Sequence, residues 1–89
     1  MVKHISILIS GRVQGVFFRA TTKNKADELG IKGFVKNLGD GSVYIEAEGN
    51  QDQLIAFESW CRKGPPRAQV VRMDITEGLM KFFPTFDIH

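Results

Sequence analysis

Residues 31–49 read Ile-Lys-Gly-Phe-Val-Lys-Asn-Leu-Gly-Asp-Gly-Ser-Val-Tyr-Ile-Glu-Ala-Glu-Gly, and the fold turns on this stretch. Ile31, Gly33 and Val35 fall on one face of a strand, with Phe34 on the other, which is the period-two pattern of a half-buried β-strand. The run breaks at Asn37-Leu38-Gly39-Asp40-Gly41, where Asp-Gly is a strong hairpin turn signal. Val43, Ile45 and Ala47 then alternate with Tyr44, Glu46 and Glu48, so a following strand is expected with its charges facing water. Gly49 closes it. Two consecutive strands joined by a turn, with no helix between them, are the centre of the chain.

On either side of this hairpin the period changes from two to 3.6. Before it, Phe18, Thr22, Ala26 and Leu29 form an apolar helical stripe, Lys23, Lys25, Asp27 and Glu28 fall off it, and Gly30 is placed to end the helix in a left-handed conformation. After it, Asn50 and Gln53 have the spacing of a capping box. Leu54, Phe57 and Cys61 repeat along the next helix with Trp60 beside them, and Gly64-Pro65-Pro66 stops it. Further out, Ile5, Ile7 and Ile9 alternate with His4, Ser6 and Leu8 in a first strand, and Val71, Met73 and Ile75 mark a fourth. Phe86 and Ile88, after a turn at Gly78, suggest a short fifth, with Pro84 tolerable only at a strand start or sheet edge. The order β-α-β-β-α-β is the split β-α-β or ferredoxin-like arrangement. It predicts an α+β sandwich of one domain over residues 1–89, with an antiparallel four- to five-stranded sheet and two helices on one face.

Composition narrows the class of function. Eighty-nine residues, 43% hydrophobic and including seven Phe, suffice for one compact core. A net charge of +2 and a pI near 8.9 are too mild to imply nucleic acid or a membrane, but suit a small anion. Cys61 is the only cysteine, which excludes an intramolecular disulfide and fits a reducing cytoplasm; its place on a helix stripe reads as a buried structural thiol. No apolar run reaches transmembrane length and no signal-peptide pattern opens the chain, so a cytosolic, unprocessed protein is expected.

Between the first strand and the first helix, residues 11–19 read Gly-Arg-Val-Gln-Gly-Val-Phe-Phe-Arg. Two glycines permit a tight turn and close approach of a ligand to the backbone. Arg12 and Arg19 are present and Asp and Glu are absent, so a loop entering a helix N-terminus here is a natural anion site. The topology supplies a partner. Strands one and two run parallel with strand three between them, so the loop and Asn37 reach the same sheet edge, about 10 Å apart. That is room for a phosphate group and a water molecule.

These residues resemble the acylphosphatases. The family's first signature, an apolar strand residue followed by Gly-x-Val-Gln-Gly-Val-x-Phe-Arg, is met by Ile9, Gly11, Val13, Gln14, Gly15, Val16, Phe18 and Arg19. The second is met without a gap by Gly33, Phe34, Val35, Lys36, Asn37, Gly41, Val43 and Gly49. The resemblance covers nearly the whole chain. It implies metal-independent hydrolysis of the carboxyl–phosphate bond of a small acyl phosphate to a carboxylate and inorganic phosphate. It also implies a phosphate cradle made by the backbone of Gln14, Gly15, Val16, Phe17 and Phe18, with Arg19 as the charged clamp and Asn37 orienting the attacking water. No cofactor or metal is expected, since the carboxylates are scattered over solvent faces and His4 and His89, at opposite chain ends, read as solvent-facing. Arg12 reads as a solvated loop residue, Gln14 as a brace as much as a ligand, and Asp40 and Gly41 as structural. Whether Phe17, Phe34 or Tyr44 touches substrate stays open. The default partner set is the substrate and phosphate alone, with a monomeric protein. RNA binding is the rival class, because Lys32-Gly33-Phe34-Val35 echoes an RNA-recognition consensus, although on the wrong strand. A non-catalytic module binding phosphate or carbamoyl phosphate is the other.

Overall fold

Strands β1 (Val2–Arg12), β2 (Lys32–Asn37), β3 (Val43–Asn50), β4 (Gln69–Gly78) and β5 (Phe86–Ile88) alternate with helices α1 (Phe18–Leu29) and α2 (Gln51–Lys63) in a computed structural model that describes every residue from Met1 to His89. The strands form one sheet in the order β4-β1-β3-β2-β5. β3 is antiparallel to both β1 and β2, so those two run parallel on either side of it, and β4 pairs antiparallel with β1. β5 pairs parallel with β2, so the sheet is mixed rather than wholly antiparallel. The register lines up Ile75, Ile7, Ile45, Val35 and Ile88 in one row across all five strands.

One core lies between the sheet and the helix layer. Ile5, Ile7, Ile9, Val35, Val43, Ile45 and Ala47 from the strands meet Phe18, Ala26, Leu54, Phe57 and Cys61 from the helices. α1 packs over β2 and β5, and α2 over β3 and β4. The helix ends follow the local chemistry. Gly30 caps α1 at φ 76°, and the Asn50–Gln53 capping box at the start of α2 is complete. Gly33 has φ 148°, and a Cβ there would run into the Glu46 carbonyl of the paired strand. A β-bulge at Ser10/Gly11 shifts the β1–β4 register, which leaves Val71 exposed and turns Val70 toward the core in its place.

The opposite face of the sheet departs from the sequence pattern. His4, Glu46 and Glu48 were expected in solvent, yet they are 3%, 6% and 3% exposed. The cause is topological. β4 and β5 lie at opposite sheet edges, so the connecting residues 79–85 must cross about 19 Å of sheet width, and they run over this face. Glu48 anchors them: its carboxylate accepts from the amides of Lys81 (2.7 Å) and Phe83 (3.0 Å) and lies 2.8 Å from His4 Nδ1. Glu46 pairs with Lys81 Nζ at 2.8 Å, lies 3.2 Å from His4 Nε2 and accepts from the Tyr44 hydroxyl. The Phe83 ring stacks on His4 and meets Phe34 edge-on. His89 is exposed as expected, but its ring stacks on Phe34 at 4.6 Å between centroids.

Burial by itself raises the Glu48 pKa, but hydrogen bonds from the Lys81 amide, His4 and the Phe83 amide outweigh it and hold the carboxyl below its ordinary 4.5. A folded-state pKa below the unfolded one contributes stability above the unfolded value and loses it as pH falls through the folded one. Glu48→Gln is therefore expected to lower Tm at neutral pH and to lose less Tm than the parent between about pH 6 and about pH 3. Calorimetry across that range checks this, and equal acid losses in the two proteins would remove Glu48 from the acid response.

Candidate active site

Beyond the bulge, the chain leaves β1 and turns into α1. Val13 and Val16 are buried pegs, 1% and 7% exposed, which fix the loop to the core at both ends. Gly15 between them has φ 74° with nothing within 4 Å of an added Cβ, so the turn needs its backbone freedom rather than its small size. Gln14 Nε2 donates to the carbonyls of Leu38 (2.7 Å) and Ser42 (2.9 Å), tying the loop to the β2–β3 turn. That turn is closed by Leu38 N–H to the Ser42 carbonyl and by Asp40, whose carboxylate accepts from the Ser42 hydroxyl and amide. Those bonds hold the Asp40 carboxyl below the usual carboxylate range.

α1 begins differently from α2. Its N-cap residue is Phe17, at φ 64° and ψ 23°, with no side-chain cap and no acidic residue in the first turn. α2 has both a complete capping box and Asp52. The first N–H groups of a helix have no partner within it, and at α1 no side chain covers them, at the positive end of its dipole.

Arg19 projects from this first turn. Its Nη1 donates to the His89 carbonyl at 3.0 Å, and the His89 amide in turn donates to the Val35 carbonyl at 2.8 Å. The guanidinium is thus moored to the edge where β2 and β5 end. Asn37 is the last residue of β2, and its Oδ1 is buried without a hydrogen-bond partner.

A cavity of about 340 Å³ joins these features; Gly15, Phe17, Phe18, Arg19 and Asn37 line it, together with Val13, Ala20 and Ile88. Five of the residues singled out in the sequence therefore meet at one place. Gln14 and Val16 do not line the cavity: the Gln14 side chain leaves for the turn and Val16 is in the core, so each has only its backbone to offer. The Phe18 ring is buried against Trp60. Phe34 and Tyr44 lie outside the cavity, tilted together with Lys36 Nζ 5.8 and 5.7 Å from their ring centres. Arg12 is exposed and outside it. Ile88 and the Arg19–His89 contact were not legible in the sequence. The alternation of Phe86 and Ile88 marks a strand but carries no sign of which sheet edge it joins.

An uncapped helix start, one guanidinium and one unpartnered amide oxygen around a small cavity can bind a tetrahedral anion and hold a water molecule beside it. No group of three His, Cys, Asp or Glu side chains is arranged to hold a metal ion. Cys61 is buried in the core, where desolvation and the Glu58 charge push its thiol pKa up.

Comparison with known proteins places the whole chain in one family. The acylphosphatase family model matches residues 5–88. A Methylococcus capsulatus protein named acylphosphatase is 47% identical over 76 residues, covering 85% of this chain and 83% of its own. A Marinobacter nauticus protein of the same name is 56% identical over 64 residues, covering 72% of this chain and 70% of its own. The crystal structure of acylphosphatase from Bacillus subtilis superposes with a TM-score of 0.95 at 36% identity, covering all of this chain and 99% of that one.

Proposed function

The chain belongs to the acylphosphatase family and hydrolyses acyl phosphates, and from that premise we propose how its own residues carry out the reaction. The phosphoryl group sits in the cradle of amides from Gln14, Gly15, Val16, Phe17 and Phe18. Arg19 meets two of its oxygens with the guanidinium fork, a geometry that lysine cannot copy. Asn37 holds the attacking water through its amide oxygen. Water oxygen bonds to phosphorus, the phosphorus–oxygen bond to the acyl group breaks, and the carboxylate leaves with the electron pair. The water proton passes to a phosphate oxygen. Phosphoryl transfer asks chiefly for positioning and charge stabilisation, and the carboxylate is a good leaving group, so no strong base is required. The observation that carries this reading is the buried, unpartnered Oδ1 of Asn37 in the same cavity as Arg19 and the uncapped start of α1.

We further propose that no metal takes part, that the protein acts as a monomer in the cytosol, and that it binds no nucleic acid. In favour of the last point, the sheet face on which an RNA-recognition module stacks bases is crossed here by residues 79–85, with Phe83 over His4 and two carboxylates beneath. No helix is long and apolar enough to cross a membrane.

The test is hydrolysis of acetyl phosphate in excess EDTA, beside a simple phosphomonoester. The expected result is undiminished release of phosphate from the first and none above background from the second. Loss of activity in EDTA that returns on adding a divalent cation would overturn the metal-free mechanism.

A further inference from the structure

Little in the protein holds the Arg19 guanidinium still. The side chain is exposed, and its one hydrogen bond within the protein is to the His89 carbonyl at 3.0 Å. A long flexible side chain loses freedom when it grips an anion, and one held in place beforehand loses less. Whatever fixes His89 therefore bears on how well Arg19 binds.

His89 lies one residue beyond β5, a strand of three residues that pairs only with β2. Its amide donates to the Val35 carbonyl at 2.8 Å, and its ring stacks on Phe34, with centroids 4.6 Å apart and planes 6° apart. Phe34 is gripped from a second side by Phe83, edge-on at 5.7 Å and 84°. The Phe83 amide in turn donates to the buried Glu48 carboxylate. Phe34 is half-buried, belongs to no part of the buried core and does not line the cavity. Its ring joins the crossing of residues 79–85 to the residue against which Arg19 rests.

On the reading that Arg19 clamps the phosphoryl group, we propose that Phe34 is a positioning residue for the reaction. Stacked on His89, it fixes the carbonyl that holds the Arg19 guanidinium and so presets the clamp before substrate arrives. Phe34 serves the reaction through His89 and not through contact with the substrate. Parallel and edge-on ring contacts have defined geometry, so an aromatic ring wedged between two others sets an orientation that an aliphatic side chain of similar bulk does not.

The experiment measures inhibition of acetyl phosphate hydrolysis by inorganic phosphate, well below Tm, in Phe34→Leu, His89→Ala, the double variant and Phe34→Tyr. Leucine keeps apolar bulk on β2 without a ring face, and His89→Ala leaves the carbonyl in place. Each single variant is expected to raise the inhibition constant of phosphate by roughly two- to tenfold, the worth of one aromatic pair. The double variant should lose no more than either single one, because both remove the same stack. Phe34→Tyr should keep the parental value. Unchanged inhibition in both single variants overturns the proposal, as do losses that multiply in the double variant. Arg19→Ala is the control for the premise: if it leaves phosphate inhibition unchanged, the reading of Arg19 as the clamp is what fails.

Discussion

Arg19→Ala is expected to lower kcat/KM for acetyl phosphate by roughly a hundred- to ten-thousandfold. Each hydrogen bond to a charged partner is worth roughly 1.5–3 kcal/mol, the fork makes two, and each 1.4 kcal/mol is about a factor of ten in rate. Affinity for inorganic phosphate should fall in parallel, because the contact exists in the bound state as well as in the transition state. The loss does not come from unfolding. Arg19 is exposed, and its side chain's only hydrogen bond within the protein is to the His89 carbonyl, so Tm should move little. Arg19→Lys should recover only part of the rate, since an ammonium group supplies charge without the planar two-pronged geometry. Steady-state kinetics with phosphate as competitive inhibitor decide the matter, and near-parental hydrolysis by Arg19→Ala would remove Arg19 from the mechanism.

Asn37→Ala should separate chemistry from binding. The water lost from its position costs about a hundredfold in kcat, while the inhibition constant of inorganic phosphate stays within about twofold. The structure adds an expectation about stability. Asn37 Oδ1 makes no hydrogen bond to another group of the protein, so removing it takes no internal bond from the fold, and Tm should hold as activity falls. A variant that loses phosphate affinity as steeply as kcat would make Asn37 a binding residue. A clear drop in Tm would show that its side chain supports the β2 end rather than the reaction.

The two residues proposed to act on the phosphoryl group were legible in the sequence for different reasons. Arg19 stands in a loop of glycines without carboxylates, a local pattern. Asn37 is an ordinary turn residue until the β-α-β-β-α-β order brings it to the end of β1. That order follows from hydrophobic period and turn residues alone, because burying one face of each element is a local requirement that every element shows. The helix ends were equally readable, since the Asn50–Gln53 box and Gly30 satisfy backbone groups a few residues away.

What the sequence could not carry is the meaning of His4, Glu46 and Glu48. Alternation places them on the face away from the helices, which in an isolated strand is the wet face. Only the crossing of residues 79–85 from one sheet edge to the other turns that face into a buried polar network. The same crossing sets β5 parallel beside β2, and so brings Ile88 to the cavity rim and the His89 carbonyl to Arg19. Sequence thus determined the elements, their order and the residues proposed to hold a phosphate, because those rest on local periodicity and backbone conformation. The tertiary structure decided which charges are buried and what surrounds the cavity, because both depend on the path of a connection whose residues carry no periodic signal.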